Sequence, residues 1–215
     1  MNIKKYLSYL YPIRIKKIKT AYHTLELTWN NGKLMLDSGE ANYSYGNLHQ
    51  VFQLAFEQSK LTIQPTGHVL LLGLGGGSVI EILEKEYAFK GNITAIEIDA
   101  EVISLYKEVF SVNHTSAVNT IKEDALDWVN NYKKGVQYDL IVCDLFIDLD
   151  VPVFMKDAAF YQKLKMMLHA GGSIYVNTIH QKGKKAVKAS LFYPTFKDIE
   201  KYDFFDLNEV FVLKT

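Results

Sequence analysis

Apolar and polar positions fall into two regimes along the chain. Over residues 13–20 they alternate, Ile-Arg-Ile-Lys-Lys-Ile-Lys-Thr, which predicts a strand with one wet face. Residues 25–29 and 33–37 flank Asn30-Asn31-Gly32 and predict a hairpin, because Asn-Gly suits the tight turn between twisted strands. Beyond these, the period changes. Residues 43–59 place Leu48, Val51, Phe52, Leu54, Ala55 and Phe56 on one broad apolar face, the pattern of a helix. Pro65-Thr66-Gly67 then breaks the chain before Val69 to Leu72, an unbroken apolar run that reads as a strand buried on both faces.

From that point strands and helices alternate. Strands are expected over 92–98, 117–122, 138–143 and 173–178, and helices from Val79 onward and over 100–110, 125–132, 157–168 and 184–191. Residues 195–200 and 209–213 read as a last pair of strands. Their link, 201–208, is too short for a parallel crossover, so they are expected to run antiparallel. The pattern predicts an α/β protein: a mostly parallel seven-stranded sheet with a C-terminal antiparallel hairpin. Residues 1–42 are expected to form a small N-terminal antiparallel β region, and 43–215 the main domain.

The totals narrow the partners. A length of 215 residues suits one domain with a small appendage. The formal net charge is zero, which argues against nucleic acid as a partner. Arg14 is the only arginine, so bidentate phosphate or carboxylate clamps are disfavoured. Cys143 is the only cysteine, which excludes an internal disulfide and points to a reducing, cytoplasmic setting. No apolar run reaches the roughly 20 residues of a membrane span, so no membrane is expected. The scattered histidines show no metal-ligand spacing, and no metal is expected.

Four glycines, Gly73, Gly75, Gly76 and Gly77, follow the first buried strand and open a helix. Such a turn brings main-chain N–H groups and a positive helix end to the carboxyl edge of a parallel sheet, where adenosine cofactors bind. Glu97 ends the next strand and is the candidate for ribose hydroxyls, with Ile98 beside it; Asp99 is expected to cap the following helix. Asp124 and Ala125, after the third strand, are candidates for the adenine, although Asp124 also suits a helix cap. This third acidic position favours S-adenosylmethionine over NAD. Asp144 ends the fourth strand and would face the reactive centre, where a carboxylate attracts an amine or takes its proton. Asp148 and Asp150 lie on the loop that follows, either closing over the site or simply solvated. Cys143 is expected to be buried packing.

With these residues in view, the chain resembles the spermidine synthase-like proteins among the S-adenosylmethionine-dependent transferases. The likeness runs through Val-Leu-Leu-Leu-Gly-Leu-Gly-Gly-Gly, Ile-Glu-Ile-Asp, Glu-Asp-Ala and Tyr-Asp-Leu-Ile-Val-Cys-Asp. It implies the Rossmann-like methyltransferase fold, with Glu97 on the ribose, Asp124 on the adenine and Asp144 as the base that activates a polyamine nitrogen. Tyr43 and His49 keep the spacing of the family's tyrosine and histidine ahead of the cofactor domain, and with Asp148 they are the candidates for acceptor binding. The family commonly dimerises, so a homodimer is an expectation.

Three departures bear on the reaction. The family reads Gly-Gly-Gly-Asp-Gly-Gly in its cofactor loop, and here Gly76 stands where that aspartate belongs. The segment between Asp37 and Tyr43 is too short for the family's Gln-containing loop, and Leu145-Phe146-Ile147-Asp148 replaces its Ser/Thr-rich gate. A carboxylate beside the donor's tail would repel the carboxylate of intact S-adenosylmethionine, and its loss removes that bar. The sequence reading is therefore a transferase that binds S-adenosylmethionine or its decarboxylated form. Its leading reaction is methyl transfer to a small acceptor, with aminopropyl transfer to a polyamine as the alternative. A nucleoside- or partner-binding module without catalysis is a further alternative, and an NAD dehydrogenase a distant one.

Overall fold

The computed structural model describes residues 3–22, 24–38, 45–133, 135–146, 150–179, 186–205 and 207–215. A short helix absent from the sequence reading, α1 (Ile3–Leu7), precedes three strands, β1 (Ile13–Lys19), β2 (Thr24–Asn30) and β3 (Lys33–Ser38). They form an antiparallel sheet in the order β1-β2-β3. Asn31 (φ 49°) and Gly32 (φ 72°) both take left-handed backbone, the pair of conformations that the expected Asn-Gly turn requires. Ser8 holds α1 to this turn, its Oγ accepting from Gly32 N at 2.9 Å. The sheet has a thin core. Leu25 and Leu36 meet Val102 and Leu105 of α4 (Ala100–Leu105).

The main sheet has seven strands: β4 (His68–Leu72), β5 (Asn92–Glu97), β6 (Ala117–Lys122), β7 (Tyr138–Cys143), β8 (Leu168–Ile179), β9 (Asp198–Phe204) and β10 (Asn208–Lys214). Their order is β6-β5-β4-β7-β8-β10-β9. The first five run parallel, and β10 runs antiparallel to both β8 and β9. The fold is thus the α/β sheet with a terminal antiparallel hairpin that the pattern predicts.

The continuous apolar run of β4 explains its central place. Val69 and Leu71 enter one core with Val51, Phe52 and Phe56 of α2 (Tyr45–Gln58) and Ile80 and Leu83 of α3 (Ser78–Glu86). Leu70 and Leu72 enter the opposite core with Val129 of α5 (Ala125–Asn131) and Phe160 and Leu164 of α6 (Ala158–Met167). Strand order reverses at β4, with β5 on one side and β7 on the other. That switch point, at the carboxyl ends of β4 and β7, is the crevice position where sheets of this kind receive ligands.

Three elements differ from the pattern. The helix expected over 100–110 is α-helical only to Leu105, widens to a π turn at Tyr106–Phe110 and ends in a 3-10 turn at Ser111–Asn113. The wider turn keeps Tyr106 buried while Phe110 still packs on the core. Of the helix expected over 184–191, residues 184 and 185 lie outside the described residues. The remainder is extended at Lys188 and makes one short turn, Ala189–Leu191. The strand expected over 195–200 begins only at Asp198. The N–H groups of Thr195 and Phe196 both return to Phe192 O at 2.9 Å, a turn that buries both phenylalanines. Among the described residues no helix is long and apolar enough to cross a membrane.

Candidate active site

The glycine loop between β4 and α3 is shaped by its own chain as much as by any ligand. Gly73 (φ 93°) donates its N–H to Ile96 O at 2.9 Å, and a Cβ on it would lie 2.2 Å from Asp144 O. The β4 and β7 backbones meet there so closely that only glycine fits. Gly77 (φ 80°) is the N-cap of α3, and a Cβ on it would lie 2.7 Å from the Tyr106 ring. Gly75 is different. It is exposed and left-handed (φ 51°), with open space where a Cβ would point, and Gly76 beside it is buried.

Glu97, at the end of β5, grips this loop. Its Oε2 accepts from Leu74 N at 3.1 Å, and its Oε1 accepts from Asp99 N at 3.0 Å. One carboxylate therefore ties the glycine loop to the start of α4, and it is half-buried with Ile98 next to it. Asp99 caps α4 as expected, its Oδ1 accepting from Glu101 N at 2.9 Å. Asp124 caps α5 through Oδ1, which accepts from Leu126 N at 2.8 Å and Asp127 N at 3.2 Å, and Ala125 behind it is buried. The strand ends bearing Glu97 and Asp124 are stitched by Glu123 N donating to Glu97 O at 3.1 Å.

Asp144 follows β7, anchored by its N–H to Leu72 O at 2.8 Å. Its Oδ1 accepts from Asn177 Nδ2 at 2.9 Å. Burial pushes its carboxyl up to about 6; the Asn177 hydrogen bond opposes that shift and the Glu97 charge adds to it. Asn177 is fully buried on β8, and its Oδ1 accepts from Asn208 Nδ2 of β10 at 3.2 Å. Sequence reasoning missed both asparagines. The available signal was their position, since each interrupts or opens an apolar strand, and a buried polar side chain is the informative observation. Cys143 is fully buried, and burial with the adjacent Asp144 charge pushes its thiol up, so it is packing and not a nucleophile.

The structure therefore brings Gly73, Gly75, Gly76, Gly77, Glu97 and Asp144 to one edge of the sheet, with Asp124 at the adjoining strand end. His49 is half-buried on α2, its imidazole pushed below the ordinary value by burial while Glu81 of α3 pulls the other way. No direct contact of its ring with Asp144 or the loop is seen among the described residues. Tyr43 and Asp148 lie outside the described residues.

The Oγ of Ser78, at the first turn of α3, and the Oδ2 of Asp99 are shielded from solvent and make no hydrogen bond among the described residues. The unfilled space above Gly75 leaves the loop backbone open to close approach.

Comparison with known proteins bears on the family and the fold. Residues 56–208 match the family model for the spermine/spermidine synthase domain. A probable polyamine aminopropyl transferase of Bifidobacterium longum is 32% identical over 108 residues, which is 50% of this chain and 23% of that protein. The chain thus spans about a quarter of that curated relative's length. Among solved structures, a probable spermidine synthase from Corynebacterium glutamicum superposes with a TM-score of 0.71 at 16% identity, over 93% of this chain and 79% of that one. Human methyltransferase-like protein 13, in complex with SAH, gives 0.60 at 22% identity over 78% and 81% of the two chains. At these identities the structural matches speak for the fold.

Proposed function

The chain belongs to the spermine/spermidine synthase domain family, and from that premise we propose that it is a transferase moving an aminopropyl group from decarboxylated S-adenosylmethionine to an amine. The observation that carries the reading is Asp144: a carboxyl group at the end of β7, on the residue whose main-chain carbonyl lies against Gly73, with its pKa pushed up to about 6. The comparisons favour this reaction over methyl transfer, because the curated relative is named for aminopropyl transfer, whereas methyltransferases enter only through the fold.

The donor supplies a carbon made electrophilic by a sulfonium. The residues of this chain would do the rest. Glu97 and Asp124 would take the ribose and adenine through the lone pairs that their helix and loop contacts leave free. The glycine loop and the N-terminus of α3 would receive the remaining polar atoms. Asp144 would attract the protonated amine and take its proton, which frees the nitrogen lone pair for attack. The new N–C bond forms as the C–S bond breaks, and the electron pair leaves with the thioether. A base near its operating pH contributes on the order of 10²–10⁴ in rate.

Gly76 favours a second reading, methyl transfer from intact S-adenosylmethionine, because the loop carries no carboxylate to repel the donor's own. Calorimetry with S-adenosylmethionine, its decarboxylated form, methylthioadenosine and NAD separates the two. Tighter binding of the decarboxylated donor, with turnover of putrescine or spermidine, is the expected result. A preference for the intact donor reverses the order of the readings. Binding of NAD alone overturns both.

A further inference from the structure

Two buried side chains behind Asp144 have no part in the chemistry above. Asn177 is fully enclosed and Asn208 is 5% exposed, on adjacent antiparallel strands. A buried carboxamide is tolerated when both its ends are satisfied. Here the satisfaction has a direction. Asn208 Nδ2 donates to Asn177 Oδ1 at 3.2 Å, and Asn177 Nδ2 donates to Asp144 Oδ1 at 2.9 Å. A carboxamide presents a donor at one end and an acceptor at the other. Whatever is bonded at one end of Asn177 therefore decides what Asp144 meets at the other.

We propose that Asn177 and Asn208 are positioning residues for the base: Asn208 fixes which way round the Asn177 amide sits, so that Asp144 faces an N–H and not a carbonyl. The proposal rests on Asp144 being the base. With the N–H presented, the carboxylate is held in one rotamer at the crevice and its charged form is favoured. With the carbonyl presented, only the protonated acid makes a hydrogen bond, and the group no longer takes a proton. The relay thus opposes the burial that favours the acid form. Glu97, from β5, is the charged group that faces Asp144 across the loop among the described residues, and it acts alike in every variant. Cys143, on Asp144's own strand, holds its proton and adds no charge.

The test is a carbon-13 NMR titration of the full chain labelled at aspartate carboxyls, with the Asp144 signal assigned by its loss in Asp144→Asn. Asn177→Leu is expected to raise the Asp144 midpoint by roughly one to two pH units, the worth of a hydrogen bond to a charged group. Asn208→Leu removes the donor to the Asn177 carbonyl, frees that amide to turn, and should raise the midpoint by a smaller amount. In the Asn177→Leu background there is no amide to turn, so Asn208→Leu should add little. An equal addition in both backgrounds overturns the relay, as does an unchanged midpoint in Asn177→Leu or a fall in Asn208→Leu.

The titration needs no substrate and is independent of the reaction. If the midpoints move while the acid limb of kcat/KM does not follow them, the relay stands and the assignment of Asp144 as the base falls.

Discussion

On the β5–β6 side of the glycine loop, Glu97 and Asp124 commit oxygens to main-chain N–H groups. On the β7–β8 side, Asp144 leans on a single side-chain amide. The first arrangement holds its carboxyl groups in place, because main-chain donors cannot turn away. The second suits a group that changes protonation, because burial and one movable donor leave the two forms close in energy. The difference is one between carboxyl groups held by main-chain donors and a buried carboxyl held by a side chain.

The sharpest way to break this comparison is Asp144→Asn. It should lower kcat by about 10²–10⁴ while leaving nucleoside affinity in calorimetry within a few-fold. An equal loss of binding would mean that the two sides do not divide the work. Gly73→Ala attacks the point where the sides touch. The added Cβ meets Asp144 O at 2.2 Å on a left-handed residue, and stability in urea should fall by about 2–4 kcal/mol. Donor affinity should fall with it.

Asp124 sharpens the contrast at smaller cost. Asp124→Ala should destabilise by about 1 kcal/mol through loss of the α5 cap. Asp124→Asn keeps the cap, so any remaining loss of nucleoside binding reports the ligand role alone. The smallest effect has the opposite sign. The Asp144 carboxyl sits at about 6 in the fold against 3.8 ordinarily, so the fold binds its proton more tightly than the unfolded chain does. That contribution is complete below pH 3.8 and is lost as pH rises through about 6. Asn at 144 cannot ionise. Above pH 6 the Asp144→Asn chain should therefore melt slightly higher than the parent, by up to about 1 kcal/mol once solvent access to the carboxyl is discounted. A lower melting point at pH 8 would show that the charge is stabilised by the fold.

The placing of the glycine loop, Glu97 and Asp124 at strand ends was legible in the sequence because it is local. Each lies at or just past the end of a strand, and a strand-turn-helix pattern fixes where such residues lie. Asp99 and Asp124 are visible as caps for the same reason. The support beneath Asp144 was not legible, because Asn177 and Asn208 are 31 residues apart and meet only through the β8–β10 register. The misplaced strand start at 195 has a related cause. Thr-Phe suits a strand by propensity, but burial of Phe192 and Phe196 through a turn prevails.

The burial of Cys143 also has a practical reach. The chain holds one thiol, fully enclosed and pushed up by its surroundings, so mild alkylating reagents have no native target. A cysteine introduced at Val153, which is 85% exposed on the turn after Pro152, would be the single reactive handle. A fluorophore attached there would report on that turn without a native cysteine first being removed.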